Sequence, residues 1–337
     1  MQLKQIIFPR VNCAELVEVE AKPLGAHDVM VRTEVSTISP GTERANITGD
    51  ANVAGKNAPD VSFPRSSGYN SAGVVVEVGE AVTSVVPGDR VVVYWGKHIS
   101  CNIVPESQVV KMPDEVSFEE GALSFIATFP LAAIRKTRLE IGEPAMVMGL
   151  GLLGQLAIRL LRAAGAYPVI GVDPVESRRA EALAGGADHV FDPFEADFAA
   201  KVKEVTGGGA KVCIEVTGVG AGMDGALDCM AKFGRMALLG CTRDKEFQID
   251  YYRKVHCPGI TLIGAHTNAR PKEESHPGWF THRDDIKAVL ALQVGGRLDL
   301  KPMLTEKYSP AVCAAVYERI IFDRSFPTVA QFDWRKN

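Results

Sequence analysis

Two kinds of apolar pattern follow one another along the chain. Residues 1 to about 125 contain mostly short apolar runs, separated by turn signals such as Ser39-Pro-Gly41 and Pro87-Gly-Asp89. This pattern predicts a compact β domain of barrel type. From Pro144 to about Thr267, short apolar runs alternate with stretches of helical periodicity, which predicts a parallel, doubly wound sheet. The sequence therefore predicts an α/β protein with an additional β-rich domain.

The end of the chain has a less regular pattern. Residues 268–282 are mostly polar and predict a loop directly after the last strand of the doubly wound sheet. Helical periodicity follows over 284–294 and 310–320, and a strand is predicted at 328–332.

The most informative stretch lies between Ala145 and Asp173. The apolar run Ala145–Met148 is short enough for a buried strand, and it passes directly into the glycine pattern Gly149-x-Gly151-x-x-Gly154. A helix is predicted next, because apolar residues recur at helical spacing at Leu153, Leu156, Ala157, Leu160 and Leu161. Gly165 stands where that helix would stop, and a second apolar run ends at Asp173.

This arrangement predicts a dinucleotide site. The first glycine permits a tight turn, the second lets the backbone approach a pyrophosphate, and the third lets helix and strand pack closely. The phosphates are expected at the helix N-terminus, where free N–H groups and the positive end of the helix dipole favour anions. Asp173 follows the last glycine by about 20 residues, the spacing of a carboxylate that binds the adenosine ribose hydroxyls. We therefore expect NAD rather than NADP as the cofactor.

Composition and charge argue against several classes of protein. The chain has 337 residues, 46% of them hydrophobic, which is enough for two domains with large cores. The formal net charge of −4 gives no electrostatic reason to expect nucleic acid or an anionic membrane as a partner. No apolar run reaches the length of a membrane span, and the first residues lack the form of a signal peptide. Seven cysteines without C-x-x-C pairs indicate reduced thiols and a cytoplasmic protein.

The chain resembles the medium-chain dehydrogenase/reductase superfamily, which includes the zinc-type alcohol dehydrogenases. The resemblance covers essentially the whole chain. The motifs that carry it occur in the family's order: Gly73-Val-Val-Val-Glu-Val-Gly79, Pro87-Gly-Asp-Arg-Val91, Gly149-Leu-Gly-Leu-Leu-Gly154, Gly186-Ala-Asp188 and the stretch from Gly234 to Gly240.

The resemblance implies a GroES-like β-barrel catalytic domain and a Rossmann NAD-binding domain, with the active site in the cleft between them. The domain boundaries expected on this basis are 1–125 for the catalytic domain, 126–267 for the Rossmann domain and 268–337 for a return to the catalytic domain. Members of the family usually pair through the edge of the Rossmann sheet, near a strand such as 260–265. A homodimer or homotetramer is therefore expected.

The expected cofactor residues are spread along the second domain. By resemblance, the backbone around Thr217-Gly218, Gly240-Cys241 and Ala265-His266 lines the nicotinamide end. The complete set is Gly149, Gly151, Leu152, Leu153, Gly154, Asp173, Arg178, Thr217, Gly218, Gly240, Cys241, Ala265 and His266.

The chain departs from the zinc-dependent members at every metal ligand. Their catalytic cysteine lies in the turn that here reads Pro40-Gly-Thr-Glu43, and their Gly-His-Glu becomes Gly68-Tyr-Asn70. Their third ligand falls near Ser124, and the lobe with four cysteines is missing after Tyr94. Because zinc prefers thiolate, imidazole or carboxylate ligands, we expect no metal.

Two candidate catalytic residues lie in the turn that has lost the cysteine. Thr42 has the place of a hydroxyl that relays the substrate proton in zinc-dependent relatives, although it could equally cap a turn. Glu43 has the place of a carboxylate behind the metal ligands, and the alternative is an ion pair with Arg44 or Arg90.

Three further candidates follow. Tyr69 and Asn70 fall in the vacated metal pocket, which either could simply fill. His98 ends a short turn beside the expected cleft and is either the general base or a surface-loop residue. We expect His98 to take the substrate proton, Thr42 and Tyr69 to relay or position it, and Glu43 to be the next base to consider. For the remaining late histidines a solvated loop is expected: His266, His276 and His282.

Within the superfamily, Ile38-Ser-Pro-Gly-Thr-Glu43 with a histidine near position 98 most resembles a branch that contains bacteriochlorophyllide dehydrogenase and relatives beside sugar oxidoreductases. This implies a zinc-independent, NAD(H)-dependent enzyme that interconverts a secondary alcohol and a ketone, on a small substrate such as a sugar, a cyclic polyol or another polar hydroxyl compound. Two alternatives remain open at this point. One is a zinc-free quinone or enoyl reductase, and the other is a non-catalytic dinucleotide-binding protein.

Overall fold

The chain folds as two units. The structure, a computed structural model, describes residues 1–50, 62–241 and 246–336. The first unit comprises Met1–Phe125 and Ile286–Asn337, and the second unit comprises Ile126–Asp285.

The strands and helices are numbered here in chain order. The strands are β1 (Gln2–Arg10), β2 (Cys13–Glu20), β3 (Asp28–Ile38), β4 (Arg65–Ser66), β5 (Asn70–Val78), β6 (Arg90–Tyr94), β7 (Cys101–Pro105), β8 (Val109–Lys111), β9 (Ala145–Met148), β10 (Val169–Val172), β11 (His189–Phe191), β12 (Ala210–Glu215), β13 (Met230–Leu238), β14 (Thr261–Gly264), β15 (Glu306–Tyr308) and β16 (Ala330–Asp333). The α-helices are α1 (Pro40–Ile47), α2 (Phe118–Thr137), α3 (Leu152–Ala163), α4 (Glu176–Ala184), α5 (Phe198–Val205), α6 (Gly220–Asp228), α7 (His282–Val294) and α8 (Cys313–Phe322).

The first unit contains two sheets. A three-stranded sheet has the order β2-β1-β4, and a seven-stranded sheet has the order β15-β16-β3-β5-β6-β8, with β7 paired to β3. The strand pairs are antiparallel except for β15 with β16. Alternate positions of the larger sheet point to one buried cluster, whose valines are Val29, Val31, Val75, Val91, Val93, Val104 and Val109. This agrees with the β domain of barrel type that the alternating pattern predicts.

A second core of the first unit joins β1, β3 and β16 to the helix α8. Its largest buried side chains are Ile6, Phe8, Ile38, Ile47, Tyr317 and Phe332. These residues come from both ends of the chain, so the tail completes the first unit. A Leu, Ile or Phe side chain buried in this way contributes about 1.5–3 kcal/mol to folding.

The expected turn at Ser39-Pro-Gly41 is instead the start of a helix. α1 begins at Pro40, and Ser39 is its N-cap residue with extended backbone angles. Proline suits the first helical position, because its missing N–H would have no intrahelical partner there and its φ is already helical. The sequence Pro-Gly therefore indicates a helix start here, and the helix carries Thr42 and Glu43.

The second unit is built on a six-stranded sheet in which all neighbouring strands are parallel. Its order is β11-β10-β9-β12-β13-β14. Every residue of β9 and β10 is buried, as expected for strands covered on both faces. The strand order reverses between β9 and β12, and open sheets of this kind bind ligands at the carboxyl ends of the strands beside such a reversal. The α/β fold class with a doubly wound sheet is confirmed.

Residues 268–285 belong to the second unit rather than to the returning tail expected from residue 268. The guanidinium of Arg270 explains this, because it binds the carboxylate of Asp285 at 3.0 Å and the carbonyl oxygen of Thr128 at 3.0 Å. Asp285 also binds Arg135 at 2.8 Å, and the guanidinium of Arg135 lies 3.8 Å from the ring centre of Phe280. The polar segment is therefore held on α2 by buried charge pairs. In the part of the chain that the structure describes, no helix combines the length and apolar character needed to cross a membrane.

Candidate active site

A cavity of about 240 Å³ opens in the first unit beside the N-terminal end of α1. Its lining comprises Thr42, Glu43, Asn46, Ser66, Ser67, Gly68, Tyr69, Trp95 and Gly96. The structure thus brings Thr42, Glu43 and Tyr69 of the sequence-based set around one pocket. Most of the lining groups are hydroxyls, amides or carboxylates, so the pocket can hold a ligand with several hydrogen-bonding groups.

Tyr69 lies just before β5 and has its ring at an aromatic contact with Trp95, at a centroid distance of 5.7 Å. Burial raises the pKa of Tyr69 to about 12, although hydrogen bonds to Ser39 and Thr42 act in the opposite direction. Its phenol is therefore protonated at neutral pH and can donate a hydrogen bond. Tyr69 therefore lines the pocket, and its side chain forms hydrogen bonds with Ser39 and Thr42.

Glu43 is the acidic group of the pocket and is only 2% exposed. Its carboxylate accepts hydrogen bonds from the backbone N–H of Ser39 at 2.8 Å and from the hydroxyl of Tyr317. Both of its oxygens also lie 3.2 Å from Nε2 of His98. The ion pair with Arg44 or Arg90 considered from the sequence is therefore wrong.

The guanidinium of Arg90 is engaged elsewhere in the first unit. It donates to the carbonyl oxygens of Pro113 at 3.1 Å and Val116 at 2.6 Å. Arg44 is exposed on α1 and also does not contact Glu43.

His98 is fully buried, which corrects the alternative of a surface-loop histidine. Its Nδ1 lies 2.7 Å from the hydroxyl of Ser36, and its Nε2 faces Glu43. The neighbouring Gly68 has φ of 83°, and a Cβ at that position would come within 2.5 Å of the backbone nitrogen of His98. A glycine is therefore needed for the chain to close over the imidazole. His98 is not among the lining residues of the cavity, and it reaches the pocket through Glu43.

The sequence reasoning missed Tyr317 and Trp334, two residues of this cluster from the end of the chain. Tyr317 comes from α8, and its hydroxyl contacts both Glu43 and, at 3.5 Å, the hydroxyl of Ser67. Trp334 donates from its indole N–H to Ser36 at 2.9 Å. Tyr317 shows only the helical periodicity of 310–320, and Trp334 lies just after the strand predicted at 328–332, so no local signal marks either residue as functional.

The positions that correspond to zinc ligands do not fit that metal. Pro40 starts α1 and has no donor side chain, while Tyr69 and Asn70 offer a phenol and an amide. The hydroxyl of Ser124 donates to the carbonyl oxygen of Glu120 at 3.2 Å. Within residues 1–50, 62–241 and 246–336, no group of three or more His, Cys, Asp or Glu side chains is arranged to hold a metal ion. We derive no chemistry through zinc for this site.

The expected cofactor residues of the second unit lie at the carboxyl edge of the parallel sheet. Gly149 follows β9, Asp173 follows β10, and Thr217 and Gly218 follow β12 after one further residue. The remaining members follow β13 and β14, namely Gly240 and Cys241 and then Ala265 and His266. The fold therefore gathers these dispersed residues along one edge.

The glycine loop combines a close contact between helix and strand with one open backbone position. A Cβ on Gly154 would lie 1.9 Å from the carbonyl oxygen of Gly149, so this position closes helix against strand. A Cβ on Gly151 would meet nothing within 4 Å, so the backbone there is open to an approaching group. Gly151 is also the N-cap of α3, which has no side-chain cap. Leu152 and Leu153 form the first turn, and their N–H groups fit an anionic pyrophosphate.

Asp173 is 4% exposed, and its carboxylate helps to shape the glycine loop. It accepts hydrogen bonds from the N–H groups of Leu150 at 2.8 Å and Val175 at 2.9 Å. The guanidinium of Arg178 lies 3.8 Å from it. A carboxylate has about four acceptor positions, so capacity remains for ribose hydroxyls.

Glu215 is the last residue of β12, the strand beside β9, and it fixes the backbone that follows this strand. Its carboxylate accepts from the backbone N–H of Thr217 at 2.7 Å and from the Thr217 hydroxyl, while burial raises the pKa of Glu215. Cys241 and His266 are exposed, and Ala265 is buried. The structure thus fixes the backbone after β12 and leaves Cys241 and His266 accessible after the next two strands.

Comparison with known proteins identifies the family. The family model of the alcohol dehydrogenase GroES-like domain matches residues 25–137, and that of zinc-binding dehydrogenases matches residues 153–277. The L-threonine 3-dehydrogenase of Pyrococcus abyssi is 30% identical over 88% of this chain and 88% of its own length. The D-guloside 3-dehydrogenase of Escherichia coli K12 is 27% identical over 91% of this chain and 94% of its own length. The chain therefore belongs to the medium-chain dehydrogenase/reductase superfamily of zinc-type alcohol dehydrogenases.

Solved structures share the same fold at low sequence identity. A protein described as the short chain alcohol dehydrogenase rspB of Escherichia coli CFT073, complexed with NADH, has a TM-score of 0.83 at 16% identity and covers 98% of this chain and 99% of its own. A protein described as a zinc-binding dehydrogenase of Sinorhizobium meliloti 1021, bound to NADP, has a TM-score of 0.80 at 20% identity, with coverage of 99% for both chains.

The glycine loop yields a paired prediction. Gly151→Ala is expected to leave the thermal midpoint nearly unchanged and to weaken binding of a nicotinamide dinucleotide by at least about 10-fold, because its methyl group enters only the open space. Gly154→Ala is expected to lower stability by about 1–3 kcal/mol, because its methyl group meets the backbone. Thermal unfolding and fluorescence titration measure the two effects. Unchanged binding in Gly151→Ala would show that the phosphates lie elsewhere.

Proposed function

We propose that the protein is a zinc-independent, NAD(H)-dependent oxidoreductase that interconverts a secondary alcohol and a ketone on a sugar, a cyclic polyol or another polar hydroxyl compound. The observation that carries the proposal is the pocket, in which a buried carboxylate lies beside several hydroxyl groups. Relatives named as dehydrogenases of a guloside and of threonine support the reaction class. A bound nicotinamide dinucleotide would supply the hydride acceptor, and the open glycine loop supports its binding.

The lining of the pocket favours a polyol over a quinone. Hydroxyls of Thr42, Ser66, Ser67 and Tyr69 and the amide of Asn46 can bind the hydroxyl groups of a sugar-like ring, whereas a quinone or enone would leave several of them without a partner. The indole of Trp95 offers the pocket an apolar surface, on which the C–H face of a ring could rest.

Trp95 is held in an uncommon backbone conformation. Its φ is 57°, in the left-handed region that a bulky residue seldom adopts, and its N–H donates to the carbonyl oxygen of Tyr69 at 3.0 Å. Such conformations persist where the surrounding structure requires them and are often found at binding sites. This supports a role of the indole in the pocket.

Glu43 is the group that we propose to take the proton of the substrate hydroxyl. Oxidation of a secondary alcohol transfers a hydride from carbon to the cofactor and releases the hydroxyl proton, which needs an acceptor at the pocket. Glu43 lines the pocket, whereas His98 lies behind it and contacts Glu43. This reverses the two roles expected from the sequence. We propose Glu43 as the base and His98 as the residue that supports Glu43. Thr42 and Tyr69 remain the hydroxyls that position the substrate oxygen.

Self-association is also part of the proposal. β14 is the last strand of its sheet, with an edge that the described residues leave unpaired, and its burial is only partial. An open strand edge can pair with a second copy of the chain, which supports a homodimer or homotetramer. The free cysteines among the described residues agree with a cytoplasmic location.

Two other functions remain as outcomes of the same experiments. A zinc-free quinone or enoyl reductase would use the same cofactor loop but needs a pocket suited to a conjugated, less polar substrate. A dinucleotide-binding protein without turnover would bind NADH and oxidise nothing. The hydroxyl-rich lining and the buried carboxylate of the pocket argue against both of these functions.

The substrate and cofactor classes are tested together by following NADH absorbance with a panel of sugars, cyclic polyols, aromatic alcohols, quinones and enones. We expect oxidation of a sugar or cyclic polyol, with NAD preferred over NADP by roughly 30-fold or more, because Asp173 repels the additional phosphate and loses two hydrogen bonds at a cost of about 2–4 kcal/mol. Reduction of only enones or quinones would establish the reductase alternative. Equal use of both cofactors would show that Asp173 does not contact the ribose.

The roles of Glu43 and His98 can be separated by substitution. Glu43→Gln is expected to lower kcat by about 100-fold or more and to remove the acidic limb of the pH–rate profile, because the amide accepts no proton. His98→Gln, which keeps an N–H donor, should lose less activity than His98→Leu. Binding of NADH should stay nearly unchanged in each variant. Glu34→Gln is the matched control, since Glu34 is buried in the same unit but pairs with Arg32.

These roles would be contradicted if Glu43→Gln kept the acidic limb of the pH–rate profile and His98→Gln lost it. The imidazole would then be the base, as expected from the sequence alone.

The absence of zinc is a separate prediction. Elemental analysis is expected to find far less than one zinc per chain, and incubation with a chelator should leave activity unchanged, because the ligand positions carry proline, phenol, amide and hydroxyl groups. About one zinc per chain together with loss of activity on chelation would overturn the zinc-free proposal.

A further inference from the structure

Tyr317 belongs to the tail of the chain and is fully buried in the first unit. Its ring makes an edge contact with Phe8 at a centroid distance of 4.8 Å and lies 6.1 Å from the ring of Phe332. These neighbours are apolar, so a phenylalanine would fill the same space. Packing alone therefore does not require the hydroxyl group, and a buried hydroxyl costs free energy unless it has a hydrogen-bond partner.

The hydroxyl of Tyr317 is directed at the pocket residues. It donates to Oε2 of Glu43, and Oγ of Ser67 lies 3.5 Å away. Burial raises the pKa of Tyr317 well above its ordinary value, and the charge of Glu43 acts in the same direction. The phenol consequently stays protonated near neutral pH and acts as a donor to Glu43.

The remaining partners of Glu43 are donors as well. Trp334 can only donate, so the hydroxyl of Ser36 accepts from it, and we assign the hydroxyl proton of Ser36 to Nδ1 of His98. The proton of the neutral imidazole then lies on Nε2 and points to Glu43. With the backbone N–H of Ser39, three donors converge on one carboxylate. This set fixes the orientation of the carboxylate.

We infer that Tyr317 is a positioning residue, which holds Glu43 at the pocket as a carboxylate ready to accept a proton. The inference rests on the proposed function, in which Glu43 takes the proton of the substrate hydroxyl. Tyr317 itself does not line the cavity and acts through Glu43.

The test is the pH dependence of kcat in Tyr317→Phe, with the substrate identified by the panel. Loss of one charge-assisted hydrogen bond makes Glu43 easier to protonate, so the acidic limb of the profile should move to higher pH by about one unit. Above that limb, kcat should approach the wild-type value. Tyr94→Phe is the matched control, because Tyr94 is buried in the same unit but donates to the carbonyl oxygen of Ser107. A profile in Tyr317→Phe that keeps its position while kcat falls equally at every pH would overturn the inference.

A second substitution tests the same role in case Tyr317→Phe does not fold. Incorporation of 3-fluorotyrosine in place of Tyr317 keeps the hydroxyl and makes it a stronger donor. The acidic limb should then move to lower pH, opposite to the shift in Tyr317→Phe. A shift in the same direction for both substitutions, or no shift for either, would contradict a role in positioning Glu43.

Infrared spectroscopy separates this inference from the proposed function, because it needs no substrate. The band of the protonated acid of Glu43 is identified by its loss in Glu43→Gln, and it should appear at a pH about one unit higher in Tyr317→Phe than in the wild type. Appearance at the same pH, or no band in either protein, would overturn the inference even where turnover is observed. If the wild-type protein oxidises no alcohol, only the proposed function is refuted. The infrared shift still tests whether Tyr317 positions Glu43.

Discussion

The structure of the first unit depends on supplying hydrogen-bond donors to the carboxylate of Glu43, which is buried away from water. An ionised carboxylate is costly to bury unless several donors surround it. Here those donors are supplied by the start of α1, by the segment before β7 and by α8. Each donor is itself fixed, Tyr317 by an aromatic core and His98 by Ser36. The requirement therefore links distant parts of the chain around one pocket, and it gives the returning tail a role beyond covering the sheet.

A second carboxylate plays a similar part in the second unit. Asp173 accepts the N–H groups of Leu150 and Val175, so it ties the glycine loop to the end of β10. Glu215 does the same for the backbone at Thr217. In both cases a short-range contact fixes a loop at the carboxyl edge of a parallel sheet, where the fold already places its binding residues. A cofactor loop held in this way needs little reorganisation on binding, which preserves binding free energy.

Local patterns in the sequence were sufficient for the glycine loop with its flanking strands, and insufficient for the end of the second unit and for the pocket. Strand, glycine loop, helix and acidic residue follow one another within a short stretch, and their spacing alone predicted β9, α3 and β10. α1 was missed because Pro40-Gly41 suits both a turn and a helix start, and only tertiary contacts decide between them. Glu43 meets Tyr317 across most of the chain length, and no periodicity reports such a contact. For the same reason, the sequence suggested Arg44 or Arg90 as the partner of Glu43 and suggested His98 as the group at the pocket.

The exchange of roles between His98 and Glu43 follows from geometry rather than from residue type. Histidine is the preferred choice of base when only the sequence is known, because its unperturbed pKa lies near neutrality. A base must also reach the proton that it removes, and the fully buried imidazole faces Ser36 on one side and Glu43 on the other. The carboxylate is the member of the pair that borders the cavity. The proposed site has no metal to lower the proton affinity of the substrate hydroxyl before the reaction. Proton transfer therefore depends on where the base lies relative to that hydroxyl. The surrounding hydroxyls then serve a second purpose, because they can hold the substrate oxygen at a fixed distance from the carboxylate. A ligand with several hydroxyl groups uses such a lining fully, which ties the chemistry of the base to the class of substrate.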